Sequence, residues 1–149
     1  MQKIIPHGNI SIKEGFTVIS RMYYRPAKNT HSVFLSFEND TDLFKDSYDE
    51  NGNLFFYRGI DTNDKKIDPK KSDQSLIKKT GSKSMNSIFQ DLVKNYKVGS
   101  VKAEVVHLYR KIATNKWTDE GNFELIDCKF GNFPKGNRKI FVFTLRSIK

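Results

Sequence analysis

The sequence predicts a mainly β domain of the α+β class, in which a curved antiparallel sheet or barrel carries one main helix. Three observations lead to this prediction. The 149 residues include twelve Phe and six Tyr, and aromatic residues favour strands. Short aromatic or β-branched runs alternate with turn signals, without the strand–helix–strand alternation of a doubly wound fold. A single segment has a clear helical period.

Six segments are predicted to be strands, namely residues 15–20, 32–37, 54–57, 101–109, 122–129 and 139–145. The last three have the clearest patterns. In segment 101–109, Val105, His107 and Tyr109 fall on one face and the intervening residues on the other, as the two-residue period of a strand requires. These segments are predicted to form the sheet.

The one predicted helix covers residues 84–96. Its apolar residues recur at the three-and-four spacing of a single stripe: they are Met85, Ile88, Phe89, Leu92, Val93 and Tyr96. Ser84 is a suitable N-cap, because its hydroxyl can accept a hydrogen bond from a backbone N–H of the first turn. We assign the stripe to core packing and not to a ligand site.

The chain has the size of one domain. A length of 149 residues allows a substantial core but is short for two, so residues 1–149 are expected to form a single domain, either complete or cut from a larger protein. Cys128 has no partner for an internal disulfide, and the N-terminus lacks an apolar segment of signal-peptide length. No run approaches the roughly 18 apolar residues of a membrane span. A reducing, cytoplasmic location is expected.

Positive charge is concentrated in the later part of the chain. Residues 1–64 carry seven Lys and Arg against nine Asp and Glu, whereas residues 65–149 carry nineteen against eight. The sequence pI is about 9.6. Such a field attracts polyanions, of which nucleic acid is the commonest. A lysine-rich surface that serves only solubility is the alternative.

Part of this charge lies in residues 61–83, which contain seven lysines and few large apolar residues. We expect this segment to be an exposed excursion between a strand and the helix. It is either a solvated loop or a basic loop that contacts phosphates. In the second case, the candidates for contacts with a nucleic-acid backbone are Lys65, Lys66, Lys70, Lys71, Lys78 and Lys79.

The sequence offers little support for an enzyme. His7, His31 and His107 lack the spacing of a metal site, and Cys128 has no partner cysteine, so neither a zinc site nor another cofactor is expected. There is no phosphate-binding glycine-rich loop of the Walker type and no nucleophile-elbow motif. One further fragment has to be weighed as a catalytic constellation.

One acidic constellation is an alternative. Asp127 and Lys129 alternate on a predicted strand, with Glu124 upstream, and some Mg²⁺-dependent nucleases use such a pattern to hold metal and activate water. The same triplet arises often by chance, because the pleat alone points Asp127 and Lys129 the same way. A small nuclease stays open as a rival function.

Residues 48–59, YDENGNLFFYRG, place a tyrosine and two carboxylates before a turn and a second tyrosine after it. Asn51 and Gly52 are turn formers. In the plainest interpretation, Asp49 shapes the turn and Tyr57 is a core or rim tyrosine with a satisfied hydroxyl. The surrounding motifs favour a more specific role.

An ordered set of motifs follows this stretch. It comprises SDQSL at 72–76, the predicted helix, WTDEGNFEL at 117–125 and RKIFVFTLR at 138–146. In order and spacing, residues 44–146 resemble the SRA (YDG) domain, a PUA-like module of eukaryotic methylcytosine readers and of bacterial modification-dependent restriction endonucleases. The signature Tyr-Asp-Gly appears here as Thr118-Asp119-Glu120-Gly121, and Arg58 stands where the family commonly has a small hydroxyl residue. Because of these departures, the resemblance does not determine which cytosine modification is recognised.

The resemblance implies a PUA-like, SRA-like curved β-barrel that flips one modified cytosine, of the 5-methyl or 5-hydroxymethyl class, out of duplex DNA. Tyr48 and Tyr57 become the candidate stacking pair, and Asp49, with Glu50 as substitute, the acceptor for the exocyclic amine that distinguishes cytosine from thymine. Tyr57→Ala and Asp49→Asn are then expected to lose the preference for modified cytosine. The full set of pocket candidates is Tyr48, Asp49, Glu50, Phe56, Tyr57 and Arg58.

The expected partner is double-stranded DNA that contains a modified base. A second aromatic and basic cluster in RMYYRP adds backbone-contact candidates, namely Arg21, Tyr23, Tyr24 and Arg25. Under this hypothesis the domain performs no chemistry itself, and a nuclease domain in the same or a partner chain cuts the DNA. A PUA-like RNA-binding module is the rival, because it would share the barrel and the basic face.

Overall fold

The computed structural model describes residues 4–15, 21–25, 31–37, 45–61, 73–78, 81–132 and 138–148. These residues form eight strands and two helices. In chain order the elements are β1 (Ile4–Ile5), α1 (His7–Glu14), β2 (Met22–Tyr23), β3 (Ser32–Phe37), β4 (Ser47–Tyr48), β5 (Leu54–Arg58), α2 (Met85–Lys97), β6 (Glu104–Ala113), β7 (Lys116–Gly131) and β8 (Ile140–Ser147).

All eight strands belong to one curved sheet with the order β2-β3-β6-β7-β8-β5-β4, and β1 pairs with β7 beside this path. The pairings are antiparallel except that of β3 with β6, which is parallel. Among the described residues, β2 and β4 form the two edges. The mainly β architecture with one main helix is therefore confirmed, but the sheet is open and contains one parallel pair, instead of forming a wholly antiparallel barrel.

Irregular pairing accompanies the curvature of the sheet. The register between β6 and β7 shifts between Leu108 and Tyr109, where Gly121 adopts a φ of +86°. A second shift, between Leu125 and Asp127, interrupts the pairing of β7 with β8. Bulges of this kind bend a strand and increase its twist. They allow the 16-residue strand β7 to follow the curved sheet.

The two faces of the sheet carry separate apolar clusters. The larger one lies under α2 and contains Phe34, Tyr57, Phe89, Leu108 and Phe143, with further residues from β7 and β8. The smaller one lies on the α1 side and consists of Ile10, Val33, Leu35, Tyr109 and Trp117. Alternate residues of β3 enter the two clusters, so this strand is buried on both faces, as its run of apolar residues requires.

The predicted helix is confirmed almost to the residue. Ser84 is its N-cap, and the Ser84 hydroxyl accepts a hydrogen bond from the backbone N–H of Ser87 at 3.3 Å. Phe89 and Val93, two residues of the predicted stripe, are buried. Strands β3, β5, β6, β7 and β8 confirm five of the predicted strands, although β7 begins six residues earlier than expected.

The sixth prediction was wrong at its first residue. Gly15 does not begin a strand but ends α1, with a φ of +73° and its N–H bonded to the carbonyl oxygen of Ser11. A left-handed residue at this position is a common helix terminator, and glycine adopts it without strain. Residues 16–20 lie outside the described part of the chain.

Neither helix among the described residues has the length and apolarity needed to cross a membrane.

Buried amides fix the chain where β5 ends. Gln74 Nε2 donates to the Gly59 carbonyl oxygen at 2.7 Å, and Gln74 Oε1 accepts from the N–H of Phe141 at 2.8 Å. On the other side, Asn86 Oδ1 accepts from the N–H of Ile60 at 2.8 Å, and Asn86 Nδ2 donates back to the Ile60 carbonyl oxygen. These amides hold the end of β5 between β8 and α2.

Candidate functional site

The turn between β4 and β5 is shaped by Asp49. Its carboxylate accepts from the backbone N–H groups of Asn53 at 2.9 Å and Leu54 at 3.1 Å. Gly52 follows with a φ of +72°, a conformation that glycine adopts readily. Glu50 is exposed on the same turn. Asp49 thus has the structural role of a turn residue, and a base amine would compete with two backbone donors for it.

Tyr57 lies in the core and not at the surface. It is fully buried, and its ring stacks on that of Phe34 with a centroid distance of 4.5 Å. Its hydroxyl lies within hydrogen-bond distance of the carbonyl oxygens of Arg21 and Leu35, at 3.0 and 2.9 Å. Burial raises the pKa of this hydroxyl far above its ordinary value. In this structure a base can stack on Tyr57 only if a neighbour moves.

Tyr48 is half-buried and has different neighbours. Its ring meets Phe55 edge-on at 5.0 Å and lies 6.3 Å from Phe123. Its hydroxyl donates to Glu120 Oε1 at 2.5 Å, and burial together with this bond raises the pKa of Tyr48. The guanidinium of Arg110 lies 5.4 Å from the ring centroid. Tyr48 is in register with Phe55 of β5, so Tyr57, two residues further along that strand, lies on the same face of the sheet.

A buried carboxylate that the sequence did not single out lies beside Tyr57. Asp46 accepts from the Ser36 hydroxyl at 2.8 Å, from the N–H of Arg58 at 2.8 Å and from Arg21 NH2 at 2.9 Å. Its side chain is only 4% exposed. The Arg21 guanidinium also lies 4.9 Å from the centroid of the Tyr57 ring. Arg21 therefore contacts both the Asp46 carboxylate and the Tyr57 ring.

We call this region the tyrosine–arginine cluster, and it comprises Arg21, Ser36, Asp46, Tyr48, Tyr57, Arg110 and Glu120. Its two parts are joined because Ser36 of β3 is in register with Arg110 of β6, and because Asp46 is two residues from Tyr48. In each part a guanidinium lies near a tyrosine ring, and in each a carboxylate accepts a hydrogen bond. Such groups can bind a planar, hydrogen-bonding ring.

The other two pocket candidates differ in burial. Phe56 is partly exposed and alternates with Tyr57, so the pleat directs it to the opposite face of β5. Arg58 is 2% exposed and supports Asp46 through its backbone N–H. Both residues therefore flank the cluster without lining its aromatic part.

The described backbone-contact candidates fall into two groups. Tyr24 packs edge-on against Phe89 at 5.8 Å and belongs to the rim of the larger core, and Tyr23 is partly buried against the smaller one. Lys78 is exposed and available for phosphate contacts. Lys65, Lys66, Lys70, Lys71 and Lys79 lie outside the described residues.

Arg25 belongs to a second polar cluster, on the α1 side of the sheet. Its guanidinium bonds both the side chain and the backbone carbonyl of Glu14. The hydroxyl of Tyr109 also donates to the Glu14 carboxylate, and His31 Nε2 lies 3.8 Å from it. Arg25 therefore anchors the end of α1 to the sheet.

Two stacked histidines complete this second cluster. The rings of His31 and His107 are 4.8 Å apart, and His107 Nε2 lies 2.6 Å from Asp119 Oδ1. Burial, together with the charges of His107 and Arg25, lowers the pKa of His31, although Glu14 opposes the shift. Burial would raise the pKa of Asp119, but hydrogen bonds from Gly121 N–H and His107 outweigh it and hold this pKa below its usual value.

The acidic constellation considered for a nuclease is divided among ion pairs. Glu124 accepts from Arg146 at 3.0 Å, and Asp127 pairs with Lys97 of α2. Burial would raise the pKa of Asp127, but hydrogen bonds from Lys97 and from the N–H of Cys128 hold it low. Lys129 is exposed. These contacts link β7 to its neighbours and give no support to a catalytic role.

The fold is that of solved SRA domains, which match nearly the whole chain. No protein-family model matches the sequence, and no curated protein does. The SRA domain of SUVH5 in complex with fully methylated CG DNA matches with a TM-score of 0.62 and 16% identity, over 95% of this chain and 82% of that one. The same domain bound to fully hydroxymethylated CG DNA gives 0.56 and 22%, over 87% and 74%.

Two larger proteins contain the same fold. KRYPTONITE in complex with mCHG DNA and SAH matches with a TM-score of 0.63 and 12% identity, over 100% of this chain and 32% of that one. The modification-dependent restriction endonuclease TagI matches with 0.52 and 16%, over 79% and 39%. At these identities the likeness establishes the fold, and the predicted SRA-like architecture is confirmed.

Proposed function

We propose that this domain binds double-stranded DNA and recognises a modified cytosine of the 5-methyl or 5-hydroxymethyl class. One observation carries the proposal: the chain has the fold of SRA domains that were solved with methylated and hydroxymethylated DNA. The net charge of +9 supports a polyanionic partner independently of the fold.

Base flipping is the mode of recognition that we propose. Flipping a base out of the duplex costs a few kcal/mol, and stacking on an aromatic side chain returns roughly 1–3 kcal/mol per base. Tyr57 and Tyr48 are the aromatic groups of the tyrosine–arginine cluster. A guanidinium lies near each ring, so each ring can accept a flat cationic or polar partner.

We propose Asp46, in place of Asp49, as the acceptor for the cytosine amine. Asp46 accepts from Ser36, from the N–H of Arg58 and from Arg21, and departure of the Arg21 side chain would free one acceptor position beside the Tyr57 ring. Both donors to the Asp49 carboxylate are backbone N–H groups of the turn, which cannot leave without opening the turn. A carboxylate accepts from the cytosine amine and repels the carbonyl oxygen that thymine carries at the same position. This arrangement selects cytosine over thymine, while the modification requires a further recess.

In this proposal the basic segment, residues 61–83, contacts the phosphates of the DNA backbone. Lysines that neutralise phosphates supply affinity without sequence information, and we propose this role for Lys65, Lys66, Lys70, Lys71, Lys78 and Lys79. The domain itself performs no chemistry in this proposal. A nuclease located in the same or a partner chain would cut the DNA, a division of labour that the restriction endonuclease TagI suggests.

Fluorescence anisotropy at about 0.15 M salt tests the proposal. Matched duplexes carry plain cytosine, 5-methylcytosine, 5-hydroxymethylcytosine or glucosylated hydroxymethylcytosine at one position, and a matched RNA is the control. We expect at least a tenfold preference for one modified duplex, which corresponds to about 1.4 kcal/mol. Equal and steeply salt-dependent binding to all duplexes would contradict modified-base recognition, and tighter binding to the RNA would favour the RNA-binding rival.

A further inference from the structure

Arg21 contacts the two groups that the proposed flipped base would need, the Asp46 carboxylate and the Tyr57 ring. It donates to Asp46 at 2.9 Å, and its guanidinium lies 4.9 Å from the centroid of the Tyr57 ring. It also lies 5.6 Å from the ring of Phe37. The Arg21 side chain is 15% exposed, against 4% for Asp46 and none for Tyr57. Arg21 is thus the most exposed of the three and closes the cluster.

The chemistry of the guanidinium resembles that of a cytosine edge. Both are planar, both carry N–H donors in the plane, and both can stack on an aromatic ring. Arg21 donates to a carboxylate and lies against a tyrosine, which are the two interactions proposed for the base. A flipped base and the Arg21 side chain therefore compete for the same partners.

Displacement of Arg21 requires a change of side-chain rotamer and leaves its backbone in place. The Arg21 carbonyl oxygen accepts from the N–H of Leu35 at 2.7 Å and lies 3.0 Å from the Tyr57 hydroxyl. These bonds fix the start of β2 against β3. The long side chain can leave while the main chain remains, and a released guanidinium can bind a DNA phosphate.

We propose that Arg21 is a gate that blocks Asp46 and Tyr57 until a base displaces it, an inference that rests on the proposed recognition of modified cytosine. Every base has to compete with Arg21 for Asp46 and Tyr57. A base with a 5-substituent has more surface with which to compete than plain cytosine. Displacing Arg21 adds the same cost to every inserted base, so Arg21 lowers the affinity for any base that enters the cluster. A plain duplex that is bound through its backbone, without an inserted base, is unaffected by Arg21.

The test compares Arg21→Gln with wild type on the 5-methylcytosine, 5-hydroxymethylcytosine and plain duplexes, by anisotropy. Arg146→Gln is the matched control, because Arg146 is an exposed arginine paired with Glu124 outside the cluster. Both variants lose one positive charge, so the control measures the general loss of DNA affinity. We expect Arg21→Gln to bind the preferred modified duplex at least fivefold more tightly than Arg146→Gln does, with the plain duplexes within twofold of each other.

Weaker binding of the modified duplex by Arg21→Gln than by Arg146→Gln, or a difference below twofold, would overturn the gate. A circular-dichroism melt confirms folding, and Arg21→Lys, which keeps the charge but lacks the planar group, replaces Arg21→Gln if that variant unfolds. The two proposals fail separately. If wild type discriminates and Arg21→Gln does not tighten, the gate alone is wrong; if neither protein discriminates, both are wrong; if only the variant discriminates, the gate stands.

Discussion

Gly59→Ala should destabilise the fold more than a single methyl group suggests. A Cβ atom at Gly59 would lie 2.5 Å from Asn86 Oδ1, 2.9 Å from Gln74 Oε1 and 3.0 Å from Phe141 Cβ. Both amide oxygens accept backbone hydrogen bonds, from Ile60 and Phe141. They cannot retreat from the methyl group without lengthening those bonds. The substitution therefore disturbs two buried hydrogen bonds at once.

The expected cost follows from these two bonds. A buried donor left without its acceptor costs about 1–3 kcal/mol, so disruption of both bonds predicts a loss of about 2–6 kcal/mol in the free energy of unfolding. A loss of about 3 kcal/mol would lower Tm by about 6–12 °C in a domain of this size. Urea denaturation followed by circular dichroism measures the free energy directly.

Gly8→Ala is the matched control for this experiment. Gly8 lies inside α1, and a Cβ there would meet nothing within 4 Å. Alanine is favoured over glycine in a helix interior by about 0.5–1 kcal/mol, and part of this preference applies at Gly8, the second residue of α1, so Gly8→Ala should not destabilise the domain. If Gly59→Ala stayed within about 0.5 kcal/mol of wild type, the close packing inferred around the end of β5 would be refuted.

Three further predictions concern the site and the second cluster. Asp46→Asn should lose at least tenfold of the preference for modified cytosine while Asp49→Asn keeps it, and the opposite result in anisotropy would restore Asp49 as the acceptor. Lys78→Ala should weaken all duplexes equally and reduce the salt slope by about one; a selective loss on one duplex would contradict a phosphate contact. The pKa of His31 is lowered in the folded state, so the unfolded state binds a proton at a higher pH than the folded state does. The contribution of His31 to the free energy of unfolding is therefore complete above a pH of about 6.5 and is lost as the pH falls below that value. Thermal melts from pH 7.5 to 5 should show this loss, and His31→Gln should reduce it; an unchanged slope in the variant would exclude His31 as its source.

Sequence patterns predicted the elements whose own residues form a recognisable local pattern. The stripe of α2 and its cap at Ser84 are local features, so both could be identified without a structure. Helix α1 could not be predicted this way, because Gly8 and Asn9 are weak helix formers and Ile10 is its only buried residue. Its stability comes from contacts with the sheet and from anchors such as Glu14 and Arg25.

The candidate site was predicted less completely, for two physical reasons. Leu54, Phe55, Phe56 and Tyr57 are all apolar or aromatic, so the pleat alone could not decide which pair faces the core. Asp46 does not belong to a recognisable sequence motif. Its partners Ser36 and Arg21 lie 10 and 25 positions away in the chain. A buried carboxylate of this kind becomes recognisable only when the fold brings distant donors together.

The one parallel pairing among the described strands, that of β3 with β6, has a consequence for the order of folding. Strands β6, β7 and β8 form a continuous antiparallel meander, which short loop closures can assemble. Strand β3 joins it only through long-range contacts, such as the bond from Ser32 to Glu104, 72 positions away. The entropy cost of closing so long a loop slows such contacts. We therefore expect β3, together with Arg21 and Asp46, which bond its residues Leu35 and Ser36, to dock onto a meander that is already formed. The proposed binding surface would then be completed in the last and slowest step.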